Sequence, residues 1–355
     1  MDLIHILANT SKINMGVWNS SLLGKDQLSR LGVNSFFWSC DPREENQPEP
    51  FIFLDLQETN PLQLVNSLNN HFNPETTLII THGAWLSPTR IGYFASLKNY
   101  SWIYVPHGML EPWSISQNKF FKRIYYQLFE KRYIQKSKAI RAVSIPEKIR
   151  LEQKFNKEVF YIPNGVALGA KTQKDPSKIS FLFMSRLHHK KGILPLVKAW
   201  SNTLLNEKNF ELCIAGPDEG ELEKIQPFIK ENIQYLGPIY GEEKIHFLKK
   251  AHYYFLPSFS EGFPTSVLEA MAWGGIPLIS KGCNFEETFT ESLGYLAEPK
   301  LEQLEDLLKR LSKIEYNQEQ SDRNVSWIEE NYDENKLANK LFEVYSALLP
   351  NVHKG

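Results

Sequence analysis

The chain has 355 residues, a formal net charge of −1, and 42% hydrophobic and 23% charged residues. That length exceeds one typical core and suits two domains, while the balanced charge gives no electrostatic footprint for general nucleic-acid binding. Cys40, Cys213 and Cys283 are too few and too scattered for a disulfide framework or a metal-ligand pattern, and they fit a reducing compartment.

The opening segment, MDLIHILANT, has no basic leader region and reads as a buried strand over residues 3–7, not as a signal peptide. No apolar run approaches the roughly 20 residues that a bilayer span needs. The expected location is cytoplasmic, with a peripheral position on the inner face of the cell membrane left open. Further short apolar bursts follow as SFFW (35–38), FIFLDL (51–56), TLIITHG (77–83), WIYVPHG (102–108) and AIRAVS (139–144). Helix-length stretches over 18–31 and 60–72 separate several of them, and such alternation predicts right-handed crossovers and a parallel sheet. VFYIPNGVALG (159–169) then brings a Pro163-Asn164-Gly165 turn signal and a polar stretch, which mark a hinge and bound a first domain at 1–165. The alternation restarts with ISFLFMSR (179–186), a helix over about 192–206, FELCIAG (210–216), IQYLG (233–237), YYFLPS (253–258) and IPLIS (276–280). A second doubly wound domain is predicted over 166–335, and the tail pattern gives terminal helices, the last over 336–355.

Four segments carry candidate chemistry. In SEGFPTSVLEAMAWGG (260–275), a loop leads from a strand into a helix that Gly274-Gly275 ends, with Pro264 acceptable at a first helical position. The N-terminus of such a helix presents free N–H groups and a positive dipole end at the sheet's carboxyl edge, a setting suited to a diphosphate. Glu261 precedes that end, and Glu269 lies further along, where a carboxylate can accept both hydroxyls of a ribose. Spacing alone equally allows an acidic residue against the dipole and a solvated glutamate.

In MSRLHHKKG (184–192), Arg186 and Lys191 flank a short loop after a strand and offer a planar fork and a compact charge to phosphate oxygens. A solvated basic loop is the alternative, and His188 and His189 have no ligand partners at metal-site spacing. In VPHGMLEPW (105–113), His107 follows a buried strand and precedes Gly108, which lets the backbone turn. This histidine either orients a sugar hydroxyl or caps the strand; His82 poses the same choice and reads as the more structural. Gly16 offers close backbone approach to a ligand or a plain turn. Finally, residues 116–142 interleave lysines and arginines with aromatics at near-helical spacing, with Glu130 as the counter-charge. The pattern suits an amphipathic helix on an anionic membrane surface, or a helix packing its aromatics inward.

Together, RLHHKKG, EGFPTSVLEAMAWGGIPLI, YLGPI (235–239), IPNGV (162–166) and PHGMLEPW resemble, in kind and order, the signatures of retaining glycosyltransferases of family 4, especially bacterial exopolysaccharide and lipopolysaccharide enzymes. The resemblance implies the GT-B fold: two facing Rossmann-like, doubly wound α/β domains with an interdomain cleft. It implies that Arg186 and Lys191 hold the diphosphate of a nucleotide-sugar and Glu269 its ribose. Glu261 and the backbone of Gly262, Phe263, Pro264, Thr265 and Ser266 would engage sugar and phosphates, and Gly237 and Ile239 would lie beside the base. His107 would lie near the anomeric centre, and the terminal helix would cross back onto the first domain.

No metal or other cofactor is implied, and the acceptor would be lipid-linked or an oligosaccharide. Three departures stand out: Ser185 where a glycine often precedes the arginine, Pro264 where many members have glycine, and a lone Gly16 in place of a glycine pair. A catalytically silent sugar-nucleotide-binding or scaffold protein on the same fold is the alternative, against which the intact Arg186, Lys191, Glu261, Glu269 and His107 argue.

Overall fold

The computed structural model describes residues 1–11, 15–41, 50–53, 60–85, 87–110 and 124–349. These residues form two compact units, Met1–Gly165 together with the terminal helix Glu334–Ala347, and Val166–Asp333.

The first unit is built on a parallel sheet of strands β1 (Asp2–Leu7), β2 (Asn34–Ser39), β3 (Phe51–Phe53), β4 (Thr77–His82), β5 (Ser101–Val105), β6 (Ala139–Ala142) and β7 (Val159–Tyr161). Their spatial order, β3-β2-β1-β4-β5-β6-β7, reverses direction between β1 and β4. The second unit repeats the plan with β8 (Ile179–Met184), β9 (Phe210–Ala215), β10 (Ile233–Gly237), β11 (Tyr253–Leu256), β12 (Ile276–Ile279) and β13 (Tyr295–Leu296), ordered β10-β9-β8-β11-β12-β13 and reversing between β8 and β11. In sheets of this kind ligands bind at the carboxyl ends of the strands beside the reversal. The strands read as apolar bursts because helices cover both faces of a parallel sheet. In the second core Phe181 stacks on Tyr253 and Phe255 and meets Trp200 edge-on, with centroids 4.8 to 5.7 Å apart. In the first core, fully buried Trp102 donates to Thr81 Oγ1 at 2.8 Å.

Several local expectations are corrected. The helix predicted over 18–31 is two helices, Met15–Ser21 and Lys25–Arg30, broken at Gly24. Gly24 has φ 64°, and a Cβ there would come within 2.2 Å of Ala338 on the terminal helix, so the break is imposed by tertiary contact. The two units divide at Gly165/Val166, within the predicted hinge segment, whose first residues form β7, the edge strand of the first sheet, and are held by buried Arg141, which donates to the carbonyls of Ile162 and Pro163 at 2.9 and 3.2 Å. Arg141 itself lies in β6 and is 2% exposed, so it is no part of a basic surface.

Glu130, the expected counter-charge of that surface, is fully buried. It accepts from Trp85 N, Thr89 Oγ1 and Tyr104 OH at 2.9, 3.1 and 3.4 Å. Burial raises its pKa above the ordinary carboxylate value despite those bonds. Residues 116–123 of the basic stretch, with Lys119, Lys122 and Arg123, lie outside the described residues. Its described remainder is a π-helical turn, Tyr126–Glu130, continuing into the helix Lys131–Ile134, with Ile124, Leu128 and Phe129 exposed. Among the described residues no helix is long and apolar enough to cross a membrane.

Candidate functional site

At the carboxyl edge of the second sheet, β8 ends at Met184 and the chain turns through Arg186. Leu187, fully buried, anchors the turn and donates its N–H to Pro217 O at 2.8 Å. Arg186 Nη1 donates to both carboxylate oxygens of Glu219, each at 2.9 Å. His188 Nδ1 accepts from Lys190 N and caps a 3₁₀ turn over His189–Lys191. Gly192 follows at φ 71° and opens the helix Ile193–Thr203. A Cβ on Gly192 would sit 2.1 Å from Pro257 O, so glycine lets this turn approach the end of β11 and delivers Lys191 there.

Lys191 meets Glu261. Its Nζ donates to the two carboxylate oxygens at 2.7 and 2.8 Å, and Ser258 Oγ donates to Oε1 at 2.5 Å. The loop is pinned further by Glu261 N to Gly282 O at 2.7 Å and by Asn284 Nδ2 to Glu261 O at 2.7 Å. Glu261 is 8% exposed. Burial opposes its ionised form, but the charge and hydrogen bonds of Lys191, with Ser258, outweigh burial and hold its pKa below the ordinary value. Sequence reading set these two residues on separate loops serving one ligand; the structure shows them as a buried pair.

The helix that follows runs over Thr265–Ala272, with Pro264 at the cap position, one residue before the helix, and no side chain capping its N-terminus. Gly262 and the helix start at Thr265 and Ser266 thus follow the Lys191–Glu261 pair directly. Phe263 is different: its ring packs against Phe285 and Tyr332 at centroid distances of 6.3 and 6.0 Å, leaving its backbone as the part available to a ligand. Glu269 accepts from Lys244 Nζ at 2.7 Å, a pair about one-quarter exposed on each side. Tyr254 OH donates to Met184 O at 2.7 Å and ties the two strands that flank the reversal. Gly237, at φ 74°, ends β10 and its carbonyl accepts from Gly216 N at 2.9 Å. Ile239 is buried, so its side chain belongs to the core.

In the first unit, His107 lies two residues past β5 at φ 53° and shares a left-handed turn with Gly108 at φ 74°. Gly108 N donates to buried Glu147 Oε1 at 2.6 Å. His82 Nδ1 lies 2.9 Å from His107 Nε2, and His82 Nε2 lies 3.1 Å from His5 Nδ1. Gly16 falls in the helix Met15–Ser21 and not in a turn, and open space surrounds the position of its missing Cβ. Sequence reasoning missed His5, Glu219 and Lys244. The one available signal was His5 itself, a histidine interrupting the apolar run LIHIL. The ion-pair partners have no sequence signal, because they come from other loops and helices.

Residues 168–333 match the family model described as glycosyl transferases group 1. The chain is 28% identical over 184 residues to N,N'-diacetylbacillosaminyl-diphospho-undecaprenol alpha-1,3-N-acetylgalactosaminyltransferase of Campylobacter jejuni, covering 50% of this chain and 47% of that protein. It is 25% identical over 209 residues to the phosphatidylinositol N-acetylglucosaminyltransferase gpi3 subunit of Schizosaccharomyces pombe, covering 54% and 44%. The chain thus spans less than half the length of these curated relatives. Among solved structures, sucrose-phosphate synthase from Thermosynechococcus elongatus aligns with a TM-score of 0.77 at 17% identity, covering 98% of this chain and 99% of that one. Anabaena HepE in complex with UDP and glucose aligns at 0.74 and 15% identity, covering 97% and 99%. Two α/β units with parallel sheets, as in these GT-B structures, are the fold of this chain.

Proposed function

We propose that the protein is a retaining, metal-independent glycosyltransferase of family 4 type. It would move a hexose-type sugar from a nucleotide-sugar to a hydroxyl of a lipid-linked or oligosaccharide acceptor in bacterial surface polysaccharide synthesis. The observation that carries this reading is the buried Lys191–Glu261 pair set immediately before an uncapped helix N-terminus, at the strand reversal between β8 and β11. A cation and a helix end brought close in this way suit a shared anion. The match of residues 168–333 and the UDP complex of a structural neighbour agree with it.

In this reading Arg186 exchanges Glu219 for diphosphate oxygens, and Lys191 shares its charge between phosphate and Glu261. These groups, with the amides of Gly262, Phe263 and Ser266, stabilise the charge that develops on the departing diphosphate. Glu269 takes the ribose hydroxyls, Glu261 the sugar, Gly237 and the backbone of Ile239 the base, and His107 acts near the anomeric centre. The incoming hydroxyl attacks on the face that the diphosphate leaves, so configuration is retained. No cofactor is assigned. A cytoplasmic protein peripheral to the membrane fits a lipid-linked acceptor, with exposed Ile124, Leu128 and Phe129 beside Lys131 and Arg132 as the contact.

Thermal-shift screening against UDP, GDP and ADP identifies the nucleotide, since a ligand of the native state raises apparent stability. Arg186→Ala and Lys191→Ala are each expected to weaken that nucleotide about 10- to 100-fold in calorimetry, as befits a charged hydrogen bond. Unchanged affinity would sink the phosphate assignment. Nucleotide binding without donor turnover on any acceptor extract would favour the silent scaffold. Loss of anionic-liposome binding after neutralising Lys131 and Arg132 supports the membrane contact; no binding by the wild type removes it.

A further inference from the structure

We propose that His5, His82 and His107 form one hydrogen-bonded wire of neutral imidazoles in which His5 and His82 are positioning residues that set the tautomer of His107. The wire stands on geometry; its consequence for catalysis rests on the glycosyl-transfer reading.

Three adjacent strands of the first sheet supply the rings. His5 lies within β1, His82 closes β4, and His107 follows β5. The two ring contacts measure 3.1 and 2.9 Å between nitrogens, with interplanar angles of 25° and 20°. Each contact therefore holds one hydrogen. A neutral imidazole carries a single N–H, and this leaves two settings. In one, His82 donates from Nε2 to His5 Nδ1, so its Nδ1 must accept from His107 Nε2. The remaining nitrogen of His107, Nδ1, then holds a bare lone pair. In the other, His5 and His82 both donate from Nδ1, and the single proton of His107 also sits on Nδ1. Whether His107 offers a donor or an acceptor at Nδ1 is thus fixed jointly by all three rings. Both settings are neutral, and exchanging one for the other moves a hydrogen across each contact while one proton leaves His5 Nε2 and another enters at His107 Nδ1, or the reverse.

The surroundings hold the wire neutral. His5 and His82 are 5% and 1% exposed. Burial lowers the pKa of His5 and of His107 to about 3, with the Arg141 guanidinium adding to it. His82 is held well below the ordinary value by burial, by its two neighbours and by Arg141. From β2, the ring on His5 is the uncharged Phe37, stacked at 4.9 Å. Glu147, from the helix Ile145–Phe155, accepts from Gly108 N and Val143 N at 2.6 and 2.9 Å. A His107 so wired acts on a sugar hydroxyl as a fixed hydrogen-bond partner, not as an imidazolium.

Nitrogen NMR of the histidine-labelled full chain tests this directly. At pH 5.5 all three rings are expected to be neutral and to share one tautomer. Mixed tautomers among the three, or an imidazolium signal from any of them, would overturn the wire. His5→Phe keeps the stack on Phe37 but removes the ring nitrogens, so the His107 tautomer signal should change; an unchanged signal overturns the coupling. Should that variant not fold, the wild-type spectrum and His5→Gln still decide. With a donor that the wild type consumes, His5→Phe is expected to lower kcat about 10-fold with donor KM unchanged. An unchanged kcat overturns the positioning role. Absence of turnover in the wild type counts against the glycosyl-transfer reading and leaves the spectra to judge the wire.

Discussion

The two sheets are bordered by polar groups of opposite kinds. The first edge carries a line of uncharged rings, His5, His82 and His107, joined nitrogen to nitrogen. The second carries opposite charges in contact: Lys191 with Glu261, Arg186 with Glu219, Lys244 with Glu269. A neutral wire avoids the cost of desolvating a charge but is unsettled by protons. Ion pairs tolerate mild acid, yet each leaves a stranded charge if one partner is removed. The same sheet plan thus gives two edges with different weaknesses.

Acid should expose that difference most strongly. The wired histidines have folded pKa values depressed below the ordinary value near 6.5. Below pH 6.5 the unfolded chain binds protons that the folded one does not, so stability falls as pH falls. At pH 5, His5 removes about 2 kcal/mol, and His82 and His107 act in the same sense. In the second unit, buried His252, lowered to about 4, acts in the same sense, and partly exposed His188 adds a smaller contribution. Glu261 has the same sign in a lower window: its pKa is depressed, so its stabilisation is whole above the ordinary carboxylate value and is lost as pH falls from there through its folded one. Hydrogen exchange, corrected for intrinsic rates, should show the opening free energy of the first unit falling more steeply between pH 7 and 5. Equal slopes in both units would erase the contrast.

The next effect is a stranded charge. Glu261→Ala leaves Lys191, whose side chain is 12% exposed, without its carboxylate. Breaking a buried pair from one side costs about 3–5 kcal/mol, and the loss should appear in denaturant unfolding of the second unit. Glu261→Ala together with Lys191→Met should recover part of it, since a paired vacancy is cheaper than a lone charge. A double variant no more stable than the single one would show that the pair does not carry the edge.

How much of this was legible from sequence follows from the range of the interactions. Strands such as LIHIL and TLIITHG are legible because both faces of a parallel sheet are covered. Arg186, Lys191, Glu261 and Glu269 stand out because charge at a strand–loop–helix junction is a local pattern. The break at Gly24 is not local, since it answers to Ala338 far along the chain. Nor is the burial of Lys174 in what reads as a polar linker: its Nζ donates to Lys249 O and Trp273 O at 2.7 and 2.8 Å. The wire is invisible for the same reason, because only the crossover that sets β1 beside β4 brings His5 to His82.

The smallest effect concerns Glu219, and it separates holding from binding. Arg186 is 38% exposed at its side chain, so its pair with Glu219 is solvent-screened and contributes at most about 1 kcal/mol. Glu219→Gln should therefore leave unfolding nearly unchanged, in contrast to Glu261→Ala. Its effect on the nucleotide has a definite sign. If Arg186 must leave the carboxylate to reach a diphosphate, removing that competitor tightens nucleotide binding, by less than about 5-fold for a contact worth up to 1 kcal/mol. Weaker binding would instead mean that Glu219 holds the guanidinium in its binding pose, making it a support for Arg186 and not its competitor.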